Sequence, residues 1–94
     1  MEERHLVRVA KALADSTRFR IFQTIAKEGE LSCSELAERF PVVQATVSHH
    51  LRVLMEAGLV DMRREGQFHF FRANREALRA YWRALCEALG CEDP

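Results

Sequence analysis

The side chains best equipped for chemistry fall in one short stretch: Gln44, Ala45, Thr46, Ser48, His49 and Arg52. Their chemistry is recognition rather than catalysis. Glutamine can bond adenine bidentately, arginine can do the same to guanine, and serine, threonine and histidine serve bases or phosphates. Ala45 and Ser48 are small enough to let a backbone approach closely. A second group, Arg63, Arg64, Gln67 and His69, surrounds Gly66. Arginines there suit phosphates or a narrow minor groove. Cys33, Cys86 and Cys91 make an odd count without repeat spacing, which argues against a disulfide framework and fits reduced thiols. No carboxylate pair and no Ser/His/Asp set falls on elements that would form a cleft. The chain is therefore expected not to be an enzyme and to need no cofactor.

These groups need elements to hold them. Leu6, Val9, Ala10 and Leu13 recur at helical spacing and predict a first helix. Asp15 is a good N-cap for a second, with the apolar stripe Phe19, Phe22, Ile25 and Ala26 and a stop at Gly29. Ser32 and Glu35 have the spacing of a capping box for a short third helix that buries Leu36, Ala37 and Phe40 and ends at Pro41. A fourth helix follows after a tight turn, from about Gln44 to Ala57, with Val47, Leu51 and Leu54 as its buried face. Its other side presents the recognition set. Two extended runs, Leu59 to Arg64 and Phe68 to Arg72, flank Glu65-Gly66-Gln67 and predict a hairpin. Asn74 caps a last helix with the stripe Leu78, Tyr81, Trp82, Leu85, Cys86 and Leu89, closed by Gly90. The expected fold is mostly α with a small β-hairpin.

Ninety-four residues make a single domain, here expected to span 1–94. Net charge is zero, but the cations are unevenly placed. Residues 39–75 hold Arg39, Arg52, Arg63, Arg64, Arg72 and Arg75 against Glu56, Asp61 and Glu65, as a phosphate-facing surface requires. No apolar run approaches the roughly 20 residues of a membrane helix, and the first residues lack the order of a signal peptide. The expectation is a cytoplasmic protein with no membrane partner.

Two helices joined by a tight turn, the second presenting small polar and cationic groups, suit the major groove of double-stranded DNA. A solvated amphipathic helix would look the same in isolation. The arginine-bearing hairpin after it favours DNA.

The residues also carry a family resemblance. Lys11 to Ile21 resembles the "ALADPTRLRIL" opening of the ArsR/SmtB repressors, and Gln44 to Leu54 resembles their "SQPTVSHHLKVL" recognition helix. Glu56 to Val60 and Arg63 to Gly66 resemble their "EAGLV…RREG" entry into the wing. The resemblance spans about residues 6–89. It implies a winged helix-turn-helix fold and a homodimer through the first and last helices. The apolar positions there are Leu6, Val9, Leu13, Leu78, Tyr81, Trp82, Leu85 and Leu89. It also implies repression from a palindromic operator, whose half-sites would lie one helical turn apart, about 34–36 Å. Val43 stands where the family usually has a serine cap.

Many relatives in that family sense metals. The "ELCVCDL" thiolate motif becomes Glu30-Leu31-Ser32-Cys33-Ser34-Glu35-Leu36, with serines at both cysteine positions. Two hydroxyls do not replace two soft thiolates. No histidine lies between Asn74 and Leu89, where the zinc sensors have Asp/His pairs. No metal site is expected. His49 and His50 point about 100° apart on a helix and cannot chelate one ion together; His49 reads as a DNA contact, and His50 borders the buried face. Cys86 and Cys91 share no helix face unless the chain turns back at Gly90. A thiol sensor of arsenite or an oxidant at Cys86 and Cys91 stays open as an alternative, as does a winged-helix module that binds protein. The inducer, if there is one, is not legible.

Overall fold

The computed structural model describes residues 1–91. Residues 92–94, the end of the single domain expected at 1–94, lie outside the described residues. The elements are α1 (Glu3–Leu13), α2 (Ser16–Glu28), β1 (Glu30–Ser32), α3 (Cys33–Arg39), α4 (Gln44–Glu56), β2 (Val60–Glu65), β3 (Phe68–Ala73) and α5 (Arg75–Leu89).

Local chemistry sets most of these boundaries. The Asp15 carboxylate accepts the backbone N–H of Arg18 and starts α2. Gly29, at φ 93°, ends it, a conformation that a side chain disfavours. Ser32 and Glu35 form the reciprocal capping box of α3, with bonds of 3.1 and 2.9 Å. Asn74 caps α5 by accepting from Ala77 at 3.0 Å, and Gly90 closes it in the left-handed region. In the hairpin, β2 runs one residue further than expected, so Glu65 pairs with Phe68 and only Gly66-Gln67 form the turn. Leu59 precedes the strand as a fully buried residue.

The sheet has three antiparallel strands in the order β1-β3-β2. The sequence reading contained only the hairpin. β1 adds Glu30, Leu31 and Ser32 opposite Arg72, Phe71 and Phe70 and so ties the wing to the residues just before α3.

The core lies between the helices and the inner face of the sheet. Ile21, Ile25, Leu36, Val47, Leu51, Leu54 and Leu59 are almost wholly buried, with Val9, Ala12, Leu31, Val60 and Phe71 around them. Two expectations need correction. Phe19 is 46% exposed, and Ile21 fills the core instead. Ile21 and Ile25 are one helical turn apart and set the inward direction of α2, from which Phe19 is rotated by roughly 140°. On α1, Ala12 rather than Ala10 is buried, in line with Val9. No helix among the described residues is long and apolar enough to cross a membrane.

Candidate nucleic-acid interface

Helices α3 and α4 pack on each other, joined by the turn from Phe40 to Val43. Their buried sides, Leu36 on α3 and Val47, Leu51 and Leu54 on α4, fix the pair to the core. The opposite side of α4 then faces solvent. Gln44, Ala45, Ser48, His49 and Arg52 are exposed, and Thr46 is half-buried. Small polar groups and one arginine thus share an open helical surface, as groove reading requires.

The start of α4 lacks a side-chain cap. Val43 occupies the N-cap position, 69% exposed, and makes no capping hydrogen bond. The first-turn N–H groups are consequently less well satisfied than at α2, α3 or α5.

The wing residues Arg63, Arg64, Gln67 and His69 are all exposed. Register divides them between two faces. Arg64 stands opposite His69 and donates to its Nε2 at 3.3 Å. Arg63 stands opposite Phe70 on the other face, with its guanidinium carbon 4.8 Å from that ring's centroid. Arg63 also donates to Glu30 at 2.7 and 3.2 Å and to Glu65. The Arg63 hydrogen bond holds the Glu30 carboxyl below its ordinary value, and the two carboxylates in turn stabilise the guanidinium charge. Of the two wing arginines, Arg63 therefore already has its charge matched by carboxylates. The sequence could not foresee this, because Glu30 lies 33 positions away.

The fold brings the distant groups together. One shallow cleft is lined by Ser32, Cys33 and Ser34 from the start of α3, by Gln44 from α4, and by Gln67, Phe68 and His69 from the wing tip. Phe68 was not among the expected contacts, yet it is exposed beside Phe70. Cys33 lies 4.0 Å from the Gln44 carbonyl, and burial pushes its thiol above the usual value. Ser32, at one former thiolate position of the metal-sensor motif, uses its hydroxyl as the α3 cap.

Comparison with known proteins now bears on this geometry. A helix-turn-helix domain family model matches residues 13–63. An arsenic resistance transcriptional regulator of Pseudomonas putida is 44% identical over 68 residues, 72% of this chain and 53% of its own length. The chain thus spans about half of that regulator. An arsenical resistance operon repressor of Staphylococcus aureus is 35% identical over 78 residues, covering 83% of this chain and 74% of that protein.

The chain belongs to the ArsR family.

As an ArsR-family regulator it is a DNA-binding protein and not an enzyme. The structural match agrees. A homodimeric winged helix-turn-helix DNA-binding domain from Mycobacterium bovis, a possible ArsR-family regulator, superposes with a TM-score of 0.74 at 31% identity. The match covers 92% of this chain and 78% of that one.

In this ArsR-family chain the residues expected at a dimer interface divide into three sets by exposure. Val9 is 1% exposed and Leu6 is buried, so both serve the protomer's own core. Leu13, Tyr81 and Leu85 are half-buried. Leu78, Trp82 and Leu89 are exposed, as is Val7 on α1, which the sequence reading passed over. At the end of α5 the chain does turn back at Gly90, and the Cys91 N–H donates to the Cys86 carbonyl at 2.8 Å. Cys86 is buried, Cys91 is exposed, and no disulfide joins any of the cysteines. Among the described residues no group of three or more His, Cys, Asp or Glu side chains is placed to hold a metal ion.

Proposed function

We propose that the chain is a homodimeric transcriptional repressor that inserts α4 of each protomer into successive major grooves of a palindromic operator. Gln44, Ala45, Thr46, Ser48, His49 and Arg52 face the bases and flanking phosphates. Arg64, Gln67 and His69 carry the wing to the backbone or minor groove, and Arg63 braces that wing. The observation that carries the reading is the joining of the α4 N-terminus and the wing tip across one cleft, so that both can meet a single duplex. The dimer is carried by Leu78, Trp82 and Leu89, large apolar side chains left exposed on a helix whose stripe is too wide for its own small core. The homodimeric relative supports the same assembly. The repressor lacks the family's thiolate and Asp/His metal sites. The cytoplasm, where DNA and reduced thiols occur together, is its proposed compartment.

Fluorescence anisotropy with a duplex from upstream of the chain's own gene tests this reading. Binding much tighter than to random duplex is expected, with two protomers per site. Affinity equal to random duplex favours a protein-binding module instead.

A second reading has one observation in its favour. The turn at Gly90 brings Cys91 back towards Cys86, so a thiol-directed inducer such as arsenite or an oxidant could act there. Replacing both cysteines with serine should then abolish release from DNA, and an unchanged response removes this reading.

A further inference from the structure

Arg18 lies on α2, yet it ties three helices together. Its Nε donates to the Ala12 carbonyl at 2.6 Å and Nη2 donates to the Lys11 carbonyl at 3.1 Å, both in the last turn region of α1. Its Nη1 lies 3.2 Å from Nδ1 of His50. His50 is 8% exposed, set on α4 beside Val47, Leu51 and Leu54. An arginine keeps its protons, so Nδ1 must accept and the imidazole must be neutral, with its proton on Nε2. The same guanidinium thus holds the end of α1 and the middle of α4, while its own backbone N–H is fixed by Asp15 at 2.9 Å.

We propose that Arg18 and His50 are a positioning pair that sets the pose of α4 on the α1–α2 junction, and that operator binding consequently weakens as His50 takes up a proton. The proposal deepens, and rests on, the assignment of α4 as the helix that meets DNA. Neither residue touches DNA in this scheme; both act through the exposed face of the helix that carries His50.

The charged groups bearing on the ring are Asp15 and Arg18 from α2 and His49 from α4, while α1 contributes backbone carbonyls. Burial first, and then the charges of Arg18 and His49, hold His50 below the ordinary histidine value of 6.5, against the opposing pull of Asp15. Above that ordinary value the ring is neutral in folded and unfolded chains alike, and the bond is intact. As pH falls through the lowered folded value the ring gains a proton, Nδ1 stops accepting, and two cations face each other in a largely buried place. Polyanion binding by exposed histidines has the opposite sign. A proton gained on a DNA-facing imidazole would strengthen attraction to phosphate rather than weaken it.

The test compares the intact chain with His50→Asn, whose side-chain oxygen stands near the position of Nδ1 and accepts without titrating. Anisotropy on the upstream duplex is measured from about pH 8 to about pH 5.5 at constant ionic strength, across the histidine range. The two chains should bind within about twofold of each other at the high end. At the low end the intact chain should be weaker than His50→Asn by roughly tenfold, the scale of one charge-assisted hydrogen bond. Arg18→Lys is the second variant. A single ammonium cannot hold all three acceptors, so it should bind more weakly at high pH and show a flatter acid response. A ratio of intact chain to His50→Asn that stays constant with pH overturns the pair, as does an Arg18→Lys chain with unaltered affinity and profile. Specific binding with a flat ratio overturns the pair alone, whereas no specific binding at any pH overturns the DNA assignment and the pair with it.

Discussion

Arg52 and Arg63 are both exposed arginines on the proposed DNA side, but their surroundings predict opposite salt responses. Arg52 stands on α4 with no hydrogen bond or ion pair among the described residues, so its charge is available to phosphate. Each phosphate contact contributes about 0.9 to the slope of log affinity against log salt. A dimer carries the side chain twice, so Arg52→Ala should make the slope shallower by about 1.8. Over a fourfold rise in salt, from about 50 to 200 mM, the deficit of the variant should narrow by about 12-fold. Arg63 is the contrasting case. Glu30 and Glu65 match its charge, and Phe70 lies under its guanidinium. Removing one carboxylate, as Glu30→Gln, should release part of that charge to the duplex, tighten binding and make the slope steeper by up to about 1.8. Anisotropy titrations at four or more salt concentrations read both slopes. An unaltered slope in Arg52→Ala refutes the placement of α4 on DNA, and an unaltered slope in Glu30→Gln refutes the masking of Arg63.

Three further outcomes follow from the packing. Val43→Ser should supply the missing cap of α4 and stabilise the chain by about 1 kcal/mol in urea denaturation; no gain would mean that the first-turn N–H groups are satisfied some other way. Trp82, 53% exposed in the protomer, should act as an interface anchor, so Trp82→Ala should raise the dimer dissociation constant by at least about 30-fold in sedimentation. Equal association of the two chains would place the interface elsewhere. Leu54 is completely buried, and Leu54→Ala should cost about 2–5 kcal/mol in the same denaturation assay, with a smaller loss pointing to local collapse around the gap.

The sequence was most legible where a feature is decided within a few residues. Asp15, the Ser32–Glu35 box, Asn74 and the glycines at 29 and 90 mark helix ends through local hydrogen bonds or backbone conformation. The exposed polar face of α4 was legible for a related reason: burial of Val47, Leu51 and Leu54 leaves only one side for the polar residues. Features settled by distant partners were not legible. β1 is three residues long, too short to show alternation, and its pairing partners begin at Phe70. The ion pair of Arg63 with Glu30 depends on β1 being beside the hairpin, so missing the strand also hid that partner of the guanidinium. The contact of Arg18 with His50 spans 32 positions, and nothing in the spacing of either residue signals it. The phase of α2 failed for another reason. Phe19 and Phe22 form as regular a stripe as Ile21 and Ile25, and only tertiary packing decides which phenylalanine stays outside.

The pairing of β1 with β3 makes a single tool of the wing and the reading helix. Backbone bonds clamp the base of the hairpin to the residue that caps α3, and α3 is packed on α4. The angle between wing and helix is therefore coupled to that ladder. In the proposed dimer the adjustable coordinate is then the span between two stiff jaws, set where α1 and α5 of the two protomers are proposed to meet. Grooves repeat about every 34 Å, so a small change in span at that seam throws the second jaw out of phase with its groove. In that proposed assembly an effector would not need to loosen either jaw to release the duplex. It would have only to alter the gauge between them.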